Sequence, residues 1–176
     1  MDREKMKTVI VLLPAMVLLC LGCVSEPGID KGKFTESLRI ARELHTSLAK
    51  GSPCDVPAEL LQKLAAETEA LKSKAASPAE KNVVRALSGL VNTYNDGVLV
   101  CNQRAHLSQF SFVPRGRIYV VQELDPLVLK YDLPTESHVY RPTGVSWRSI
   151  SWDAVKAIWE SAGAQLRSIE NAVNYS

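Results

Sequence analysis

The side chains best suited to catalysis or metal binding are spread thinly along the chain. Its three histidines are His45, His106 and His138. A zinc site needs histidines, or a histidine and a carboxylate, at helical spacing on one face, and none of the three has such a partner. The chain also lacks the Gly-x-Ser-x-Gly motif of a nucleophilic serine and the glycine-rich loop of a phosphate site. We therefore expect no catalytic, cofactor or metal site, although a triad assembled from distant residues stays open.

A second group of side chains has the composition of a binding surface. Arginines and aromatic residues are interleaved between positions 115 and 148, and this combination is typical of surfaces that contact a partner. The residues that we predict to form this surface are Arg115, Arg117, Tyr119, Tyr140, Arg141 and Trp147. The alternative is that the rings only cover one end of a helical core and that the arginines are its solvated rim.

The N-terminal segment has the pattern of an export signal. Residues 1–7 carry three basic side chains, and no charge follows between Thr8 and Leu21. A basic start, an apolar run and then small residues are the features of a secretory signal peptide. We therefore expect the chain to leave the cytoplasm.

The end of this segment indicates which class of export signal it belongs to. Leu21-Gly22-Cys23 resembles the last three positions of the lipobox of prokaryotic lipoproteins, with Cys20 where that motif has an aliphatic residue. The resemblance implies that residues 1–22 are a cleaved signal peptide and that a lipid on the Cys23 thiol inserts into the membrane. Residues 23–33 would then be the anchor and tether of a protein on the extracytoplasmic face of the cell membrane.

Two alternatives to lipid attachment stay open. Thr8 to Val24 is a run of 17 uncharged residues, which is at the short end of what crosses the hydrocarbon of a bilayer. It could therefore be a single uncleaved transmembrane anchor. Ordinary cleavage near Gly22 or Ser25 would instead release a soluble secreted protein.

Two cysteines remain once Cys20 is removed and Cys23 is modified. Outside the cytoplasm, an even remainder favours a disulfide between Cys54 and Cys101. Helix lengths agree, because a helix over about 56–75 is ~30 Å long and an antiparallel helix after it returns position 101 to the level of Cys54. We predict this disulfide; a pair of buried free thiols is the alternative.

The elements that position these side chains are predicted to be helices. Apolar residues recur at spacings of three and four, which predicts helices over about 34–50, 56–75, 78–105 and 152–173. Ser77-Pro78-Ala79-Glu80 is a capping box at the start of the third. Gly89 and Gly97 each weaken that helix by ~1 kcal/mol, and Asn95-Asp96-Gly97 could end it before a strand. The stripes favour one long helix and a mainly α, antiparallel four-helix bundle-like domain.

An irregular insert separates the last two helices. It covers about 108–149 of a single domain over 34–176, and it far exceeds the usual bundle loop of about two to eight residues. Residues 117–122 and 127–131 read as short strands, with Asp125-Pro126 as a hairpin turn between them. Long connections of this kind often carry function, so we expect this partly β insert to determine specificity.

Composition limits the function further. The chain has 176 residues, with 21 Lys and Arg against 19 Asp and Glu and a formal net charge of +2. Such a balance excludes a general nucleic-acid binder, which needs a dense basic face. We expect a non-enzymatic, membrane-held envelope protein that binds a partner protein or a small ligand. The alternatives are an extracytoplasmic helical module that binds a small solute or a metal, and a hydrolase with residues from the insert.

Overall fold

The computed structural model describes residues 28–51, 54–107 and 116–175. Within these ranges the protein is mainly helical and has one small antiparallel sheet. The helices are α1 (Lys31–Lys50), α2 (Ala58–Lys74), α3 (Pro78–Leu107), α4 (Asp125–Lys130) and α5 (Val155–Asn174). The strands are β1 (Arg117–Tyr119), β2 (Thr135–Tyr140) and β3 (Val145–Ser151). The predicted signal peptide, the lipid site Cys23 and the surface residue Arg115 lie outside the described residues.

The long helices share one apolar core. Helix α1 packs against α2 and α5, α2 packs against α3, and α3 packs against α5. Burial of their apolar stripes is the main favourable term in folding such an arrangement. The largest side chains that these helices bury completely are Phe34, Leu44, Leu64, Leu71, Leu87, Leu90, Tyr94 and Ile158.

Helix α3 begins and continues as its sequence predicts. The Ser77 hydroxyl accepts a hydrogen bond from the Glu80 backbone N–H at 3.1 Å, and the Glu80 carboxylate accepts one from the Ser77 N–H at 3.3 Å. This reciprocal pair is the predicted capping box. The helix then runs past Gly97 without a break, so the alternative of an early end and a strand is wrong.

A close approach of two helices explains why residue 97 is glycine. A Cβ atom at Gly97 would lie only 2.0 Å from the Cη2 atom of Trp159 on α5. The indole of Trp159 therefore lies directly on the α3 backbone, and its ring centre is 6.1 Å from that of Tyr94. Gly89 has no atom within 4 Å of the same position, so only one of the two glycines is needed for packing.

The predicted disulfide is present. Cys54 and Cys101 are joined, with their Cα atoms 5.3 Å apart. The bond ties the segment before α2 to the C-terminal part of α3. The helices α2 and α3 therefore bring position 101 back to the level of Cys54, as the helix lengths predict.

The hairpin differs from the one that the sequence predicts. Of the strand expected over 117–122, only 117–119 form one; 127–131 do not form a strand, and Asp125–Lys130 is the helix α4. Pro126 lies in the first turn of this helix, a position that tolerates proline because its N–H would have no partner there. Leu124, Leu127 and Val128 are buried together, at the i, i+3, i+4 spacing of one helical face. The continuous apolar run therefore covers the core as a helix, and Asp125-Pro126 starts that helix instead of turning a hairpin.

The hairpin of the insert is formed by β2 and β3. The sheet order is β1-β3-β2, with Ile118 opposite Ile150 and His138 opposite Trp147. Its turn spans 141–144, and Gly144 there has a φ of +71°, a left-handed conformation that glycine adopts without steric cost. Strand β3 is buried on both faces, because Ile150 on one side and Trp147 and Ser149 on the other are each less than 10% exposed.

The two ends of the molecule are built differently. The sheet lies between the C-terminus of α3 and the N-terminus of α5. At the other end, the Glu80 carboxylate accepts hydrogen bonds from the Asp30 and Ala76 backbone N–H groups and from the Lys33 ammonium. The Lys33 ammonium and these N–H groups hold the pKa of Glu80 at about 2. Glu80 thus ties the entering chain to the start of α3.

Candidate functional site

The sheet brings most of the predicted surface residues together. Its inward face carries Ile118 and Ile150, which are buried in the core. Because opposed residues of antiparallel strands share a face, the register places a second set on the opposite side. We call this side the outer face; it consists of Arg117, Tyr119, Glu136, His138, Tyr140, Val145, Trp147, Ser149 and Ser151.

Four of the six predicted residues therefore lie on one surface. Arg117, Tyr119, Tyr140 and Trp147 belong to the outer face, whereas Arg141 lies in the turn at the end of the hairpin. Arg115 lies outside the described residues. The strand register thus brings these four residues to one face, and their role as a partner surface stays a prediction.

Three rings form a row across the three strands. The imidazole of His138 on β2 stacks on Trp147 of the central strand, with ring centres 4.1 Å apart. Tyr119 on β1 stacks on the same indole at 5.6 Å. Trp147 is only 9% exposed. The row is a rigid aromatic layer, because each ring is held by its neighbour as well as by its strand.

A polar network lies beside these rings. The Arg117 Nε–H donates to the Ser149 Oγ at 2.9 Å, and the same oxygen lies 2.8 Å from His138 Nε2. Because arginine only donates, the serine oxygen accepts that bond, whereas the tautomer of His138 decides which partner donates in the second one. The Arg117 guanidinium also pairs with the Glu136 carboxylate at 2.6 Å. The network links all three strands through one serine.

This network resembles a nucleophile and base only in part. A serine hydroxyl that donates to an imidazole is the relation found in hydrolases. However, Ser149 has no exposed surface and its oxygen already accepts from Arg117. A substrate could not reach it in this arrangement, so the geometry favours a structural role for Ser149 and His138.

Apolar side chains are concentrated at the tip of the hairpin. Val139, Tyr140 and Val145 are 61%, 41% and 60% exposed, and the turn residues 141–144 are exposed as well. We call residues 139–145 the hairpin tip. Val139 points to the opposite side of the sheet from Tyr140 and Val145, so the tip presents apolar surface on both sides. Clustered apolar surface with a polar surround is a common mark of an interaction site.

Contacts with the helices hold the insert in place. Asp96 of α3 accepts hydrogen bonds from the Lys130 ammonium at 2.7 Å and from the Tyr131 hydroxyl at 2.8 Å. Partial burial and the Asp96 carboxylate raise the pKa of Tyr131. Asp125 at the start of α4 pairs with Arg148 of β3. The sheet and α4 are therefore fixed to each other and to α3.

No protein-family model, curated protein or solved structure matches this chain. Its function must therefore be inferred from the outer face and the hairpin tip. Among the residues that the structure describes, none of the helices has the length and apolar composition that a membrane span needs.

The predicted surface did not include five residues of the outer face, and three of these belong to the polar network. Glu136, His138 and Ser149 join the network although no motif connects them. A signal is present in retrospect. Glu136 and His138 are two positions apart, as are Trp147 and Ser149, and in strands such spacing places residues on one face.

Proposed function

We propose that this protein is a non-enzymatic envelope protein that binds a partner protein through the hairpin tip and the outer face. The observation that carries the proposal is the hairpin tip, where Val139, Tyr140 and Val145 expose 40% or more of their surface beside Arg141. Burying exposed apolar surface drives most protein association. Tyrosine and arginine, which the tip exposes as Tyr140 and Arg141, are also among the side chains that dominate binding energies at interfaces.

The chemistry of the tip favours a protein over a small solute. Small ligands need a concave site that covers most of their surface, whereas the tip projects from the sheet. Strand β2 is an edge of the sheet and pairs only with β3 among the described strands. The side of β2 away from β3 can hydrogen-bond with an extended partner segment, a mode that strand addition uses. A partner strand beside β2 would also contact Tyr140 and His138.

We further propose that the molecule is held at the membrane through a lipid on Cys23, and that α1, α2, α3 and α5 act as an antiparallel bundle-like scaffold. The course of the chain supports this arrangement. Lys31 donates to the Asn174 carbonyl at 2.7 Å, so the described chain begins beside the end of α5. The sheet is connected to the other ends of α3 and α5. A tether at residue 23 would thus leave the hairpin tip facing away from the bilayer.

A photocrosslinking experiment tests the partner surface. Val145 is replaced by a photoreactive phenylalanine analogue in the cell that makes the protein, and the matched control carries the same analogue at exposed Lys63 on α2. We expect a discrete crosslinked adduct from position 145 that position 63 does not give. The same adducts from both positions, or none from position 145, would contradict the proposal. Labelling of Ser149 by a fluorophosphonate probe would instead favour the hydrolase alternative.

The anchor is tested separately. Replacing Cys23 by serine should move the protein from the membrane fraction to the soluble fraction, and the native membrane form should have the mass of a chain that starts at a lipid-modified Cys23. A membrane form that starts at Met1 would show a transmembrane anchor instead. A failed anchor prediction leaves the partner surface untouched, because the two rest on different residues.

A further inference from the structure

A cleft lies between α1 and α5, away from the outer face. Its volume is about 330 Å³, within the range of pockets that hold small organic molecules. Apolar and cationic side chains both contribute to its wall. The main lining residues are His45, Leu48 and Ala49 on α1 and Trp159, Glu160 and Arg167 on α5.

Gly163 lets two nitrogen-bearing side chains converge beside this cleft. A Cβ atom at residue 163 would lie 2.8 Å from His45 Nε2 and 3.5 Å from Arg167 Nη1. The imidazole of α1 and the guanidinium of α5 therefore lie over the same point of bare backbone. Two converging N–H donors of this kind suit an acceptor with two oxygens.

Both side chains have unused hydrogen-bonding capacity. The His45 Nδ1 atom is buried and has no hydrogen-bond partner among the residues that the structure describes. Burial and the nearby Arg167 lower the pKa of His45, and Glu170 opposes them, so the imidazole is mostly neutral at neutral pH. Over the same described ranges, the Arg167 guanidinium makes no hydrogen bond or ion pair, whereas Glu170 is paired with Arg42.

The other charged groups limit the ligand to a single negative charge. Lys156 also lines the cleft, and its ammonium is paired with the Asp153 carboxylate at 2.7 Å. Glu160 also lines the cleft and would repel a second anionic group. Leu48 and Trp159 provide an apolar wall. An organic monocarboxylate requires N–H donors for its carboxylate and an apolar surface for its body. The Arg167 guanidinium and the neutral imidazole of His45 supply the donors, and the apolar wall supplies the surface.

We propose that this cleft binds a small organic monocarboxylate. Its carboxylate accepts hydrogen bonds from Arg167 and from the imidazole of His45, and its apolar body lies against Leu48 and Trp159. The site is independent of the hairpin tip, since the two share no residue. A failed test of the cleft would therefore leave the proposed partner surface unaffected, and the reverse also holds.

Benzoate is the probe for this site, and benzamide is its neutral counterpart of the same shape. Both are titrated into the exported protein, purified as the cell processes it, while the imidazole resonances are followed by NMR. We expect benzoate to shift the His45 resonances with a Kd of about 1 mM or tighter, and to leave those of His138 unchanged. Benzamide and inorganic phosphate should bind at least tenfold more weakly.

Two variants assign the binding to the cleft. Arg167→Gln should weaken benzoate binding at least tenfold. The matched control Arg85→Gln should leave it unchanged, since Arg85 is exposed on α3 and, within the described ranges, its side chain bonds to Asn82 alone. Gly163→Ala should also weaken it, because the added methyl displaces His45. Equal affinities for benzoate and benzamide, equal effects of the two arginine variants, or an unresponsive His45 would each overturn the proposal.

Discussion

The two glycines of α3 should respond in opposite ways to replacement by alanine. A Cβ at residue 97 would lie 2.0, 2.3 and 2.8 Å from three ring carbons of Trp159, whereas a Cβ at Gly89 would meet nothing within 4 Å. Trp159 is only 5% exposed and packs on the fully buried Tyr94. Its ring therefore cannot give way to a methyl group at residue 97 without losing part of its contact with Tyr94.

The magnitudes follow from two opposing terms. Alanine is favoured over glycine in a helix interior by about 1 kcal/mol, and Gly89→Ala should raise the free energy of unfolding by most of this amount. Gly97→Ala gains the same amount but overpacks the core, which costs roughly 1–3 kcal/mol in general. We use the upper end, about 3 kcal/mol, because three ring atoms overlap with the new methyl group. The net expectation is a loss of about 2 kcal/mol at residue 97, and a difference of about 3 kcal/mol between the variants.

Urea unfolding followed by circular dichroism measures the change in the free energy of unfolding of each variant, and thermal unfolding measures the change in Tm. The disulfide is kept intact in both. In a domain of this size, 1 kcal/mol corresponds to roughly 2–4 °C in Tm, so Gly89→Ala should raise the Tm by about 3 °C and Gly97→Ala should lower it by about 6 °C. Each variant is the control of the other, since both make the same substitution in the same helix. Equal stability of the two variants would show that Trp159 does not lie against α3 at residue 97.

Three further changes test other parts of the structure. Replacing Cys54 and Cys101 by serine should lower the free energy of unfolding by roughly 4 kcal/mol, because the bond closes a loop with a separation of 47 positions; an unchanged urea midpoint would contradict this. The pKa of Glu80 is lowered to about 2, so its contribution is complete above about pH 4.5 and is lost as the pH falls towards 2. Glu80→Gln should therefore flatten the acid side of the pH–stability profile, and an unaltered profile would argue against this role. Ser149→Ala should cost about 1 kcal/mol by removing one hydrogen bond each from the half-buried Arg117 and His138, and it should shift the His138 resonances; no change in either would show that the network does not form.

The helices could be predicted because their signals are local. The capping box at Ser77 to Glu80 and the apolar stripe of α3 lie within a few residues of each other, and the cysteine pairing follows from helix length. The α4 helix could not be predicted in the same way. A run such as Leu127-Val128-Leu129 suits a buried strand and a short helix equally, and only contact with the core selects between them.

The site was predictable only in its composition. Interleaved arginines and aromatic residues indicated a surface, but the bonds of Ser149 to Arg117 and His138 depend on strand register, which the sequence leaves undetermined. Gly89 and Gly97 also look alike in the sequence. They differ only because Trp159, far along the chain, lies against one of them.

The Cys54–Cys101 disulfide has a mechanical consequence. If the molecule is pulled between the start of α1 and the hairpin, the force crosses from residue 54 to residue 101 through the sulfur atoms and bypasses the chain between them. A fully extended segment of 47 positions would be roughly 160 Å long. When both are unfolded completely by force, the oxidised protein should therefore extend by about this length less than the reduced protein. Helix α2 and most of α3 would stay out of the load path.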